Sequence, residues 1–250
     1  MEYKDLSREK LLDMKKTLEA EYEAFRAKGL KLDMSRGKPN KAQLDLTNGM
    51  LDTVNSSSDM TASDGMETRN YGGLMGIPEC RKLMAEIVGA DEKNVIIGGV
   101  ASLTLMYDYI SQCMVFGCGG NEPWIKQGEI KFLCPCPGYD RHFGILEHFG
   151  IKMINIKMNA DGPDMDSIEE YVKDESVKGL FCVPKYSNPD GITFSDEVVR
   201  RFAALKPAAK DFRVIWDNAY IVHDLNDTPD KLLNIFWGLF FFFFPRKPCF

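Results

Sequence analysis

Three observations predict an α/β protein, a three-layer α/β/α arrangement with a mostly parallel sheet. From Ile77 onward, short apolar runs of strand length alternate with amphipathic segments of helix length. The runs are apolar at consecutive positions, as strands covered on both faces require. Each run then ends in a turn-forming or polar segment, where open α/β sheets bind their ligands. With 44% hydrophobic residues among 250, the chain has enough apolar surface for a substantial core.

The first element is a helix from Ser7 to Lys28. Leu11, Leu12, Met14, Leu18, Tyr22 and Phe25 recur at helical spacing between charges, Ser7 suits an N-cap, and Gly29 suits a stop. Asn48 to Asn70 is rich in Ser, Thr, Asp and Gly and reads as a loop. A helix is then expected over Pro78 to Val88, a strand over Val95 to Ile97, and a helix over Ser102 to Phe116. The alternation continues with a strand Ile130 to Cys134, a helix Asp140 to Phe149, a strand Met153 to Ile156 and a helix Met165 to Val172. It closes with a strand Gly179 to Val183, a helix Asp196 to Leu205 and a strand Arg213 to Trp216.

Composition excludes several functions. A net charge of −6 with no dense Lys/Arg stripe argues against nucleic acid as a partner. The apolar run from Ile235 to Phe244 is too short to span a bilayer. Seven cysteines without a C-x-x-C pair, and a charged N-terminus without an apolar signal region, point to the cytoplasm. His142, His148 and His223 form no metal-binding pattern and are read as structural or surface residues; no metal is expected.

Four motifs follow predicted strands. Gly98-Gly99-Val100-Ala101-Ser102 opens a helix whose free N–H groups suit a phosphate, although an ordinary strand-to-helix turn uses the same residues. Pro135-Cys136-Pro137-Gly138-Tyr139 places an aromatic ring on a stiff turn, where it serves either for stacking on a ligand or for packing. Ser187-Asn188-Pro189-Asp190-Gly191 is a turn that presents the Asn188 amide. Asp217 closes the last apolar run, where a buried carboxylate needs a cation or strong donor nearby; a helix N-cap is the alternative. Tyr220 lies three residues further on.

Taken together and in this order, these motifs resemble the fold-type I pyridoxal-phosphate aminotransferases of class I/II. The wording Tyr71-Gly72-Gly73-Leu74-Met75-Gly76-Ile77-Pro78, Cys134 to His142 and Trp216-Asp217-Asn218-Ala219-Tyr220 is similar to a bacterial aspartate aminotransferase subgroup. The resemblance covers about Leu6 to Phe236. It implies that Ala101 and Ser102 hold the phosphate of pyridoxal 5'-phosphate, and that Tyr71 reaches a phosphate in the neighbouring subunit of a homodimer. Tyr139 would stack on the pyridine ring, Asn188 and Tyr220 bond its phenolic oxygen, and Asp217 keep its nitrogen protonated. Gly37, within Ser35-Arg36-Gly37-Lys38-Pro39-Asn40, would let the backbone approach the substrate carboxylate. Val100 departs from the pattern, which carries a polar Asn there.

The implied activity moves the amino group of aspartate to 2-oxoglutarate, so amino acids and 2-oxo acids are the expected partners. A carbon–sulfur lyase and a noncatalytic aminotransferase-like module are the rival readings. The resemblance divides the chain into 1–45, a helix and substrate-loop segment; 46–236, a partial cofactor domain; and 237–250, an aberrant Phe-rich tail. No Ser-Lys or Thr-Lys dipeptide occurs to supply the lysine that would form a Schiff base, and Pro245 and Pro248 keep Lys247 out of a central strand. The expectation is therefore a truncated chain that binds the cofactor weakly and noncovalently, or not at all. The resemblance also implies two further strands between the fifth predicted strand and the first, whose loss would leave the first set apart from the rest. Phe240 to Phe244 are expected to promote aggregation.

Overall fold

The structure, a computed structural model, describes residues 3–33 and 37–236. Ser35, Arg36 and the Phe-rich segment lie outside the described residues. The chain forms two compact units that divide after Asp59.

In the first unit, α1 (Arg8–Ala27) begins where the Ser7 hydroxyl accepts a hydrogen bond from the Lys10 N–H at 3.3 Å. It ends before Gly29, whose φ of +60° suits a residue without a Cβ. A second helix, α2 (Lys41–Asp45), was not expected. Asn40 Oδ1 accepts from the Gln43 N–H while Gln43 Oε1 accepts from the Asn40 N–H, a reciprocal cap that starts so short a helix.

The second unit opens with α3 (Pro78–Val88) and α4 (Ser102–Phe116), both with the bounds the sequence predicts. Next come β1 (Lys131–Cys136), α5 (Asp140–His148), β2 (Lys152–Asn159), β3 (Gly162–Pro163), α6 (Met165–Tyr171), β4 (Val177–Cys182), α7 (Asp196–Ala204) and β5 (Arg213–Trp216). The sheet order is β3-β2-β1-β4-β5. Four strands run parallel, and the short β3 pairs antiparallel with β2.

Because side chains alternate along a strand, β1 and β4 each feed two cores. Phe132 and Phe181 pack with Ile110, Trp124 and Leu146 on one face. Leu133 and Leu180 pack with Ile168, Val199 and Phe202 on the other. Every residue of β4 is buried. Gly179 admits this closeness, since a side chain there would collide with the Phe132 ring and the Arg213 carbonyl.

The sequence expectation fails at Val95–Ile97, which forms no strand. Val95 is extended, with φ −100° and ψ 129°, yet among the described residues no strand lies beside it. Its carbonyl accepts from Arg81 Nε at 3.1 Å, and the Ile97 N–H donates to the Met75 carbonyl at 2.9 Å. A ladder needs a second strand, and here a side chain and a loop carbonyl stand in its place.

Candidate functional site

Three strand ends converge on one carboxylate. β1 leads through Pro137 and Gly138 into α5, and a side chain at Gly138 would collide with the Pro135 carbonyl, so only glycine turns there. Tyr139 therefore sits immediately before the first turn of α5, with His142 three residues on and on the same side of the helix.

β4 leads to Tyr186, whose φ of +53° is a left-handed conformation that costs a non-glycine residue about 1–2 kcal/mol. Several bonds hold it there. The Tyr186 hydroxyl donates to Asp230 Oδ2 at 2.7 Å and accepts from the Leu225 N–H at 3.3 Å. The Ser187 N–H donates to the Ile192 carbonyl at 2.8 Å, and the Ser187 hydroxyl accepts from the Ile192 N–H at 3.0 Å. This closed turn presents Asn188, half-buried, beside Tyr139 and His142.

β5 delivers Asp217. Its N–H donates to the Cys182 carbonyl at 2.9 Å and continues the pairing with β4, while its side chain is buried. A carboxylate offers only acceptors, so His142 Nε2–H donates to Asp217 Oδ2, at 3.0 Å. The imidazole is 2% exposed. It stacks on Phe181, with centroids 4.7 Å apart and planes at 15°, and meets Tyr139 edge-on at 5.2 Å. Burial, and then the negative charge of Asp217, push the Cys182 thiol well above its ordinary value.

The structure thus brings Tyr139, Asn188 and Asp217 together, with His142 as the link. His142, read from the sequence as structural or surface, is buried and bonded to Asp217, a contact the sequence reading did not assign. Two signals pointed to it: its i+3 spacing from Tyr139, and the need of a buried Asp217 for a donor.

Of the other candidates in the second unit, none joins this group among the described residues. Tyr220 is half-buried and edge-on to His223 at 6.2 Å. Ala101 and Ser102 are exposed at the start of α4, whose N-terminus has no side-chain cap. Tyr71 is fully exposed. Gly37 belongs to the first unit and has open space about it.

The chemistry of individual donors and acceptors, though not the space between Tyr139 and Asn188, suits pyridoxal phosphate. Asp217 supplies a buried acceptor already oriented by His142, and the Asn188 amide is uncommitted among the described residues. The uncapped N–H groups of α4 suit an anion. The gap enclosed by Tyr139, His142, Phe181 and Asn188 measures about 20 Å³. That is room for about one water and not for a ring.

Residues 6–239 match the family model described as aspartate amino-transferase. An aspartate aminotransferase of Corynebacterium glutamicum is 45% identical over 219 residues, which cover 87% of this chain and 50% of that protein. The crystal structure of an aspartate transaminase from Corynebacterium glutamicum superposes with a TM-score of 0.85 at 42% identity, covering 94% of this chain and 55% of that one. An archaeal alanine:glyoxylate aminotransferase shares the fold, with a TM-score of 0.53 at 20% identity over 87% of this chain and 52% of its own. The chain spans about half the length of the curated relatives it matches. Its mostly parallel sheet, the convergence of β1, β4 and β5 on Asp217, and the matched sequence together show that the chain belongs to the aspartate aminotransferase family.

Proposed function

We propose that this chain carries the cofactor-binding elements of an enzyme that moves the amino group of aspartate to 2-oxoglutarate with pyridoxal 5'-phosphate. One observation carries the reading: Asp217, buried at the end of β5, is held by the buried His142 imidazole at 3.0 Å. A carboxylate so placed costs folding free energy, and a protonated pyridine nitrogen is the partner that gives it a use. Bound there, pyridoxal phosphate supplies the electron sink that lets a substrate lose its α-proton.

The chain's own residues orient and hold. With pyridoxal phosphate bound, Asp217 would accept from the ring nitrogen, Tyr139 would lie against the ring, and Asn188 with Tyr220 would donate to the phenolic oxygen. The N–H groups at Ala101 and Ser102 would receive the phosphate, and Gly37 would leave room for the substrate carboxylate. Tyr71 would contribute across a homodimer. Residues 46–236 form the cofactor part, preceded by 1–45. The six described cysteines are free thiols, which supports a reducing cytoplasm.

Titration of the 250-residue chain with pyridoxal phosphate, followed by absorbance and dialysis, tests the reading. Reversible, dialysable binding is expected, weakened at least tenfold in Asp217→Ala. Equal binding by wild type and variant would refute the role of Asp217, and a borohydride-trapped adduct would refute the noncovalent mode.

A further inference from the structure

Cys113, Cys118, Cys134 and Cys182 are all buried. Burial pushes the Cys134 thiol up to about 12 and the Cys182 thiol well above its ordinary value, as a core thiol should behave. Cys118 is the exception among these four, held below its ordinary value. The cause lies beside it, in a second thiol.

Gly117 brings the two sulfurs together. Its N–H donates to the Cys113 carbonyl at 3.2 Å and closes α4. Its φ is +79°, and a side chain there would collide with the Asn121 carbonyl, so only glycine makes the turn that folds Cys118 back toward the helix it follows. Cys113 and Cys118 then lie in one core cluster, where the Cys113 S–H donates to the Cys118 sulfur. That bond is the largest influence on both: it lowers Cys118 and raises Cys113, whose burial raises it further. The Arg213 guanidinium, placed by its Nε bond to the Tyr109 hydroxyl at 2.9 Å, and the Lys178 ammonium also favour a Cys118 thiolate. They act against burial and the Asp211 carboxylate.

The two thiols also differ in position. Cys118 is among the residues lining a large cleft beside β5, whereas Cys113 stands behind it with 0% exposure. The ionisable sulfur thus faces an entry path and the protonated one backs it, which is the arrangement of an attacking and a resolving cysteine. We propose that Cys113 and Cys118 form a reversible dithiol–disulfide site that reacts with hydroperoxides. The Cys118 thiolate attacks a peroxide oxygen, the S–O bond forms as the O–O bond breaks, and the hydroxide released takes up the proton Cys118 gave away. The Cys113 sulfur then attacks the Cys118 sulfur, the S–S bond forms as the S–O bond breaks, and the Cys113 proton leaves with that oxygen as water. Two thiols are oxidised to one disulfide, one hydrogen peroxide is reduced to two waters, and a thiol reductant reverses the change.

Treatment of the native 250-residue chain with hydrogen peroxide, quenching with N-ethylmaleimide in urea and tryptic mass mapping test this. Peptide 94–126 contains these two cysteines and no other. After peroxide it is expected to carry no maleimide and to be two hydrogens lighter, before Cys134 or Cys182 loses its label. Dithiothreitol is expected to restore both maleimides. In Cys113→Ser, which lacks the resolving thiol, dimedone is expected to trap a sulfenic acid at Cys118. In Cys118→Ser, Cys113 is expected to form no dimedone adduct at the same exposure. Both maleimides still present once Cys134 or Cys182 has lost its own, or a dimedone adduct on Cys113 in Cys118→Ser, would overturn the proposal. The first measurement uses no substitution, so it decides the matter even if a variant fails to fold.

Discussion

Asp217 and His142 depend on each other. Replacing His142 by Leu leaves a buried carboxylate oxygen without its donor, and replacing Asp217 by Ala leaves a buried N–H without its acceptor. Each variant should lose about 1–3 kcal/mol of stability, read as a fall in urea midpoint. The double variant should lose less than the sum of the two, because neither orphan then remains. Cys182 provides a reactivity test. With its thiol held protonated by burial and by the Asp217 charge, it should be alkylated in the native chain well after the half-buried Cys80 and Cys136. Mass mapping of a time course with iodoacetamide reads the order.

The elements around β5 are tied by a second buried carboxylate. Asp211 accepts from Trp124 Nε1 at 2.9 Å, Gln127 Nε2 at 3.0 Å and Lys178 Nζ at 2.9 Å, joining the segment before β1, strand β4 and the start of β5. Burial alone would raise its pKa, but the Lys178 and Gln127 bonds outweigh it and hold the value below the ordinary carboxylate range. A depressed folded-state pKa contributes stability above the unfolded value of about 3.9 and loses it as pH falls through the folded one. Asp211→Asn should therefore flatten this part of the acid-unfolding profile. Asp211→Ala should cost about 3–5 kcal/mol at pH 7, because it strands the Lys178 ammonium in the interior. Thermal unfolding between pH 2 and 7 measures both effects.

Across the second unit, the free edge of β5 opens on a large cleft of about 2080 Å³, lined by side chains including Tyr109, Phe116, Phe202, Trp216 and Phe236. The walls are mostly aromatic or aliphatic, and Asn218 beside them has a buried Oδ1 with no hydrogen-bond partner among the described residues. An apolar cleft of this size should bind a hydrophobic dye. Anilinonaphthalene sulfonate fluorescence with the native chain is expected to exceed that with the urea-unfolded chain, and Trp216→Asp is expected to reduce it.

Most elements were legible locally. Pro78 at a helix start, Gly29 after a helix end, Ser195 capping α7 and the consecutive apolar runs of β1 and β4 are each set by neighbours in the chain. β5 was legible for the same reason, and so was the demand of Asp217 for a donor. What answered that demand was not legible, because His142 and Asp217 lie 75 residues apart and meet only when α5 folds back over the sheet. Val95–Ile97 shows the converse. An apolar run prescribes an extended backbone, but a strand exists only where another chain segment completes its hydrogen bonds, and that is decided in three dimensions. The sequence by itself determined most helices, most strands and the residue types that meet around Asp217. Tertiary structure alone decided strand neighbours and the partner of the buried acid, since both depend on contacts between segments distant in the chain.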